Sequence, residues 1–133
     1  MRDDQMRRYA RHILLPEVGG DGQRALMASR VRLALPDRVG RDDAAAARVA
    51  ARFLVAGGVG TVVVPDVDPT SRADLAAHAL DGEVSATGTG DELELPPRPA
   101  WWPACDGDDA ALACWRGGLA ATTWMAARAT RAR

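Results

Sequence analysis

Val31-Arg32-Leu33-Ala34-Leu35, the run from Asp42 to Ala56, and Thr61-Val62-Val63-Val64 decide the fold. The first is strand-like, bounded by Ser29-Arg30 before it and Pro36-Asp37 after it. In the second, alanines and Arg48/Arg52 alternate with Val49, Phe53 and Leu54; Asp42 or Asp43 caps its start and Gly57-Gly58 ends it, which is a helix. The third is a β-branched run with no polar face, the mark of a strand covered on both sides. Strand, helix and strand in about thirty residues make a βαβ unit, with a right-handed crossover and parallel strands. The expectation is a three-layer α/β fold.

Upstream, Asp3 to Leu15 carries Met6, Tyr9, Ala10, Ile13 and Leu14 at three- and four-residue spacings among Arg2, Arg7, Arg8 and Arg11. That pattern predicts an amphipathic helix ended by Pro16. Gly19-Gly20-Asp21-Gly22 reads as a turn and Gln23 to Ser29 as a second helix. Downstream, Arg72 to Leu80 reads as a helix, Glu83-Val84 and Glu92 to Leu95 as short strands, and Gly88-Thr89-Gly90 as a turn. Asp108 or Asp109 opens a last helix through Cys114, Leu119, Trp124 and Met125, followed by a basic tail, Arg128 to Arg133, expected to fray. The organisation is one domain, 1–133: a helical segment 1–30, a βαβ core 31–95, a Pro/Trp-rich connector 96–107 and a C-terminal helix 108–133.

With 133 residues the chain holds one domain and excludes two. Apolar residues at 47% and charged residues at 26% exclude a disordered or fibrous chain. A net charge of -1 argues against a nucleic-acid footprint. No stretch of about 18 apolar residues is present, and Met1-Arg2-Asp3-Asp4 lacks the apolar core of a signal peptide, so no membrane association and a cytoplasmic location are expected. Cys105 and Cys114 cannot form a four-thiolate zinc site, and free thiols are expected. All positive charge is arginine: there is no lysine and no asparagine.

The stretch Arg8-Tyr9-Ala10-Arg11-His12-Ile13-Leu14-Leu15-Pro16-Glu17-Val18-Gly19-Gly20-Asp21-Gly22-Gln23, continuing to Ser29-Arg30-Val31, resembles the N-terminal signature of the ThiF/MoeB/HesA family, relatives of the ubiquitin-activating enzymes. Ala56-Gly57-Gly58-Val59-Gly60-Thr61-Val62-Val63-Val64-Pro65-Asp66 is similar to the end of that family's first helix and its second strand. Trp115-Arg116-Gly117-Gly118-Leu119-Ala120-Ala121 is a weaker echo of a late helix. The resemblance covers roughly the first half of the chain. It implies a Rossmann-like fold with a truncated parallel sheet and N-terminal helices, and ATP- and magnesium-dependent adenylation of the C-terminal glycine of a ubiquitin-like or sulfur-carrier protein.

The residues depart from the family's needs. A glycine-rich turn after the first strand would bring backbone N–H groups against phosphate. Here it reads Pro36-Asp37-Arg38-Val39-Gly40-Arg41, and Asp37, Asp42 and Asp43 repel a triphosphate. The family's phosphate-neutralising lysine and its asparagine have no counterpart, and the zinc cysteines are absent. By the resemblance, Asp66 stands at the ribose position, and Asp68 and Arg72 lie where further ATP contacts would be, so these three form a vestigial ATP site. Arg11 takes the place of the arginine that, in dimeric members, reaches into the neighbouring subunit's ATP site as an arginine finger.

The expectation is therefore a degenerate, shortened member: a pseudoenzyme acting as a non-catalytic dimerising subunit or scaffold that supplies Arg11 in trans. Its partners would be a second copy or a full-length activating enzyme, and a ubiquitin-like carrier. No cofactor is expected; ATP and magnesium enter only if the family activity is retained. The competing readings are an active adenylyltransferase with a rebuilt nucleotide loop using Arg38, Arg41 and Arg72, and a small-molecule binding module. The plain alternative for Arg8 and Arg11 is a solvated helix face that preserves packing. His12 and His78 read as packed or surface histidines, Cys105 and Cys114 as non-catalytic, and Trp101, Trp102, Trp115 and Trp124 as either a partner surface or a clasp on a small core.

Overall fold

The computed structural model describes residues 1–35, 40–65, 67–103 and 109–132. Three short helices, α1 (Asp3–Arg8), α2 (Ala10–Ile13) and α3 (Gly19–Met27), precede β1 (Arg30–Ala34). Then follow α4 (Arg41–Ala56), β2 (Thr61–Val63), α5 (Pro69–His78), β3 (Glu83–Ser85), β4 (Asp91–Glu94) and α6 (Ala110–Thr130). The strands form one parallel sheet in the order β3-β2-β1-β4, flanked by helices. This is the Rossmann-like α/β arrangement that the βαβ pattern predicts.

Parallel register puts Val31 beside Val62, Val62 beside Val84, and Leu33 beside Leu93 on one face of the sheet. There they join Ala47, Ala50, Ala51 and Leu54 of α4, Leu75 of α5, and Ala120 and Ala121 of α6 in a single core. Leu33, Leu54 and Leu75 are fully buried, each contributing about 1.5–3 kcal/mol of transfer free energy. On the other face Val63 is buried beneath the link that carries Gly88, and Arg32 pairs with Glu92 at 3.5 Å. Val62, Val63 and Val64 are all buried, as a strand without a polar face requires.

The alanine content of α4 has a packing use. Where α4 meets α6, a Cβ on Gly117 would overlap the carbonyl oxygen of Ala46 and lie 2.8 Å from the backbone nitrogen of Ala50. The two helices touch backbone to backbone, and only small residues permit that approach.

Four readings of the sequence need correction. The N-cap of α4 is Gly40, and Asp42 and Asp43 lie in the first turn of the helix. The expected helix Asp3 to Leu15 is broken at Tyr9, which leaves helical geometry (φ -95°, ψ 14°) as its ring turns inward. Gly19 to Gly22 is the first turn of α3 rather than a loop; Gly22 is small because its missing Cβ would lie 2.9 Å from the Cβ of Ala129. For the same reason the C-terminal segment is helical to Thr130: Ala129 is buried against α3, and Arg128 Nε donates to Ser29 Oγ at 2.7 Å. Among the described residues no helix is long and apolar enough to cross a membrane.

Gly117→Ala separates helix propensity from packing. Alanine gains about 1 kcal/mol over glycine in a helix interior, but forcing apart the α4 backbone costs about 1–3 kcal/mol or more. The expected outcome in chemical denaturation is a net loss of stability for Gly117→Ala. Gly118→Ala, whose Cβ meets nothing closer than Phe53 Cζ at 3.7 Å, should be neutral or stabilising. Equal stability of the two variants would refute the close crossing.

Candidate functional site

The end of the sheet where the strands begin is closed by the N-terminal helices. Its centre is Asp81, whose side chain is 3% exposed although it sits in the turn before β3. One carboxylate oxygen accepts from Arg2 Nη2 and Gln5 Nε2, each at 3.0 Å; the other accepts from the Tyr9 hydroxyl at 3.1 Å and faces Arg8 Nη1 at 3.5 Å. The Tyr9 ring lies against Gly58, at φ 80°, where a Cβ would come within 2.6 Å of Tyr9 Cζ. Gln23, fully buried, donates from Nε2 to the Gly57 carbonyl at 3.0 Å, while its Oε1 meets His12 Nδ1 at 3.2 Å. Arg8 and Tyr9 of the Arg-Tyr-x-Arg motif therefore dock the segment. Of the stripe Met6, Tyr9, Ile13 and Leu14, Tyr9 is the residue that enters the core, while Met6 and Leu14 are exposed.

Arg11, the third member of the motif, does not take part. It is exposed on α2 and makes no side-chain hydrogen bond or ion pair among the described residues.

At the other end of the sheet, the turn after β1 lies at 36–39, outside the described residues. The helix it leads into is described. Asp43 Oδ2 accepts from the Gly40 amide at 3.4 Å, and Asp43 Oδ1 pairs with Arg116 Nη2 at 2.8 Å. Arg116 is buried and donates from Nε to the Pro96 carbonyl at 2.6 Å, joining the head of α4, the start of α6 and the end of β4. In a doubly wound sheet, the head of the first crossover helix beside the strand-order reversal is the anion position. Here it is taken by the chain's own carboxylate. A phosphate would have to break a largely buried ion pair, at a cost of about 3–5 kcal/mol, for a helix-dipole attraction of about 0.3–1 kcal/mol. Among the described residues, the head of α4 therefore presents a paired carboxylate where a phosphate would need donors.

Of the three residues assigned to a vestigial ATP site, Asp66 lies outside the described residues. Asp68 lines the cleft between the carboxyl ends of β1 and β2 with Leu35, Val64 and Val67. Its carboxylate accepts from the Ser71 amide at 2.9 Å as the N-cap of α5, and hydrogen bonding by the Ser71 side chain, then by that amide, holds its pKa below the ordinary carboxylate value. Arg72 is half-buried in the first turns of α5. Arg11 stands at the opposite end of the strands, so one chain does not bring it together with Asp68 and Arg72.

The remaining candidates do not assemble a reactive centre. His78 Nδ1 meets the Asp74 carbonyl at 2.7 Å, Cys114 is exposed on α6, and Cys105 lies outside the described residues. Trp101, Trp102 and Trp115 are in mutual ring contact, with Trp102 Nε1 donating to Asp109, and Trp124 packs on the core. No group of three metal-ligating side chains is present among the described residues. The sequence reading missed Asp81 and Arg116. A lone acid in a turn, in a chain whose first eleven residues carry four arginines, was the available signal for Asp81.

No family model matches the chain. Among curated proteins it is 42% identical over 76 residues to the SAMP-activating enzyme E1 of Haloferax volcanii, a match covering 57% of this chain and 26% of that protein. It is 30% identical over 79 residues to the probable adenylyltransferase/sulfurtransferase MoeZ of Mycobacterium tuberculosis, covering 59% of this chain and 18% of that one. With the bovine adenylyltransferase and sulfurtransferase MOCS3 it shares 34% over 83 residues, covering 62% and 17%. The resemblance to the ThiF/MoeB/HesA family holds over more than half of the chain. The matched part spans about a quarter or less of each of these ThiF/MoeB-like relatives.

Burial and the Asp81 carboxylate push the Tyr9 hydroxyl up from its ordinary value of 10.0 to about 12. The folded chain thus favours the neutral phenol, so this contribution is complete below pH 10 and is lost as pH rises from 10 towards 12. Tyr9 is the only tyrosine and lysine is absent, which leaves the window clear. Ultraviolet titration should place tyrosinate formation near pH 12, and Tyr9→Phe should remove the alkaline fall in stability. A midpoint near 10 would show that the hydroxyl is not docked on Asp81.

Proposed function

We propose that this chain is a degenerate ThiF/MoeB-type domain that serves ATP-dependent activation of a ubiquitin-like or sulfur-carrier protein without performing it. In this reading it is a dimerising, non-catalytic subunit that presents Arg11 to the nucleotide site of a complete activating enzyme. The observation that carries the proposal is the division of the Arg-Tyr-x-Arg motif. Arg8 and Tyr9 are bound to Asp81, while Arg11 points away with no partner among the described residues. A motif kept for packing alone needs the first two residues; an arginine that acts on a neighbour must be held on a fixed support and left unpaired. The carboxylate at the head of α4 supports the second half of the reading, the loss of the chain's own nucleotide position.

Met6, Leu14 and Leu15, exposed around α1 and α2, offer the apolar contact that would seat this segment on a partner. An arginine finger is worth on the order of 10³-fold in rate, whereas a surface arginine contributes under about 1 kcal/mol to stability. In a reconstituted pair with a complete activating enzyme, Arg11→Ala should reduce ATP–pyrophosphate exchange by at least about a hundredfold with the complex intact. Unchanged exchange would leave Arg11 as surface and the chain as a scaffold.

A further inference from the structure

We propose that the outer edge of β4, together with the groove between β4 and α6, takes up an extended strand of another polypeptide whose apolar side chains alternate with basic ones. Two independent features converge on this occupant. β4 is the last strand of the sheet, so its outward backbone groups meet no strand among the described elements. Beside it runs a mostly apolar groove of about 510 Å³, lined by Leu93, Glu94 and Leu95 on the strand side and by Leu119, Thr123 and Trp124 of α6. Leu119 is 43% exposed at its rim.

The charges select the occupant. Side chains of adjacent strands alternate between the two faces of a sheet. A strand laid against β4 therefore sends every second side chain over the groove, on the face of Leu93 and of Asp91, whose carboxylate Arg128 faces at 4.0 Å, and the others to the face that carries Glu92 and Glu94. Glu92 is shared with Arg32 at 3.5 Å; Glu94 is exposed and makes no side-chain bond among the described residues. Apolar residues fit the first face and arginine or lysine the second. Pro96 and Pro97 end the ladder, so about four residues can pair. A second copy of this chain is the wrong occupant, because edge-to-edge pairing would set Glu92 and Glu94 against their own counterparts, and opposed like charges destabilise a strand pair. Strand addition of this type draws affinity from main-chain bonds and specificity from alternate side chains.

The test uses the whole chain and three synthetic hexapeptides: Arg-Val repeated three times, Glu-Val repeated three times, and Arg-Arg-Arg-Val-Val-Val. By calorimetry the alternating basic peptide should bind with a micromolar Kd, and the other two at least about tenfold more weakly, a difference of about 1.4 kcal/mol. Hydrogen exchange should show new protection in Asp91–Glu94. Glu94→Arg should reverse the preference towards the acidic peptide, and Leu119→Glu, at an exposed position, should weaken binding of the basic one. Equal binding of the blocked and alternating basic peptides, or binding without protection of β4, would overturn the proposal. Absence of binding by every peptide would also overturn it and leave the acidic edge as a guard against aggregation.

Discussion

Where α4 passes α6, Ala46 and Ala50 face Gly117, and the backbones meet. That approach sets the position of everything attached to either helix. One residue before Gly117, Arg116 is carried to the head of α4, within 2.8 Å of Asp43, and its Nε bonds to Pro96 at the end of β4. At the far end of α6, Ala129 reaches Gly22 and Arg128 reaches Ser29. The internal carboxylate at the anion position is thus a consequence of packing. It could not be removed by changing the turn after β1 alone.

The other end of the sheet is organised by a different force. Asp81 is a buried carboxylate satisfied by Gln5, Tyr9 and two arginines, and its hydrogen bonds hold a segment too short to fold by itself. The result is a fixed platform on the amino ends of the strands from which Arg11 projects. Docking by Arg8 and Tyr9 and projection by Arg11 belong to one four-residue motif, which explains how its packing role and its proposed action on a neighbour are compatible.

The parallel sheet was legible because Val31 to Leu35 and Thr61 to Val64 are apolar runs joined by a single amphipathic helix, and local pattern settles such elements. The Gly19–Gly22 run misled for the opposite reason. Gly22 and Gly117 are small because distant segments approach them, and a glycine kept for close approach looks in sequence like a glycine kept for a turn. Arg11, Asp68 and Arg72 were singled out through the family resemblance alone, and the structure places Arg11 at one end of the strands and the other two at the opposite end. Asp81 and Arg116 were not found, because their partners are 72 or more residues away in the first case and on a different helix in the second. Such pairs exist only once the fold has brought them together.

If the Asp43 carboxylate, held by Arg116, keeps the place of a phosphate at the head of α4, the pure chain has no tight nucleotide site. Titration calorimetry of the pure chain with Mg-ATP tests it directly. The expected Kd is no tighter than about millimolar, about -4 kcal/mol. A micromolar Kd would contradict it, since ATP would then have to bind at a helix head already closed by Asp43 and Arg116.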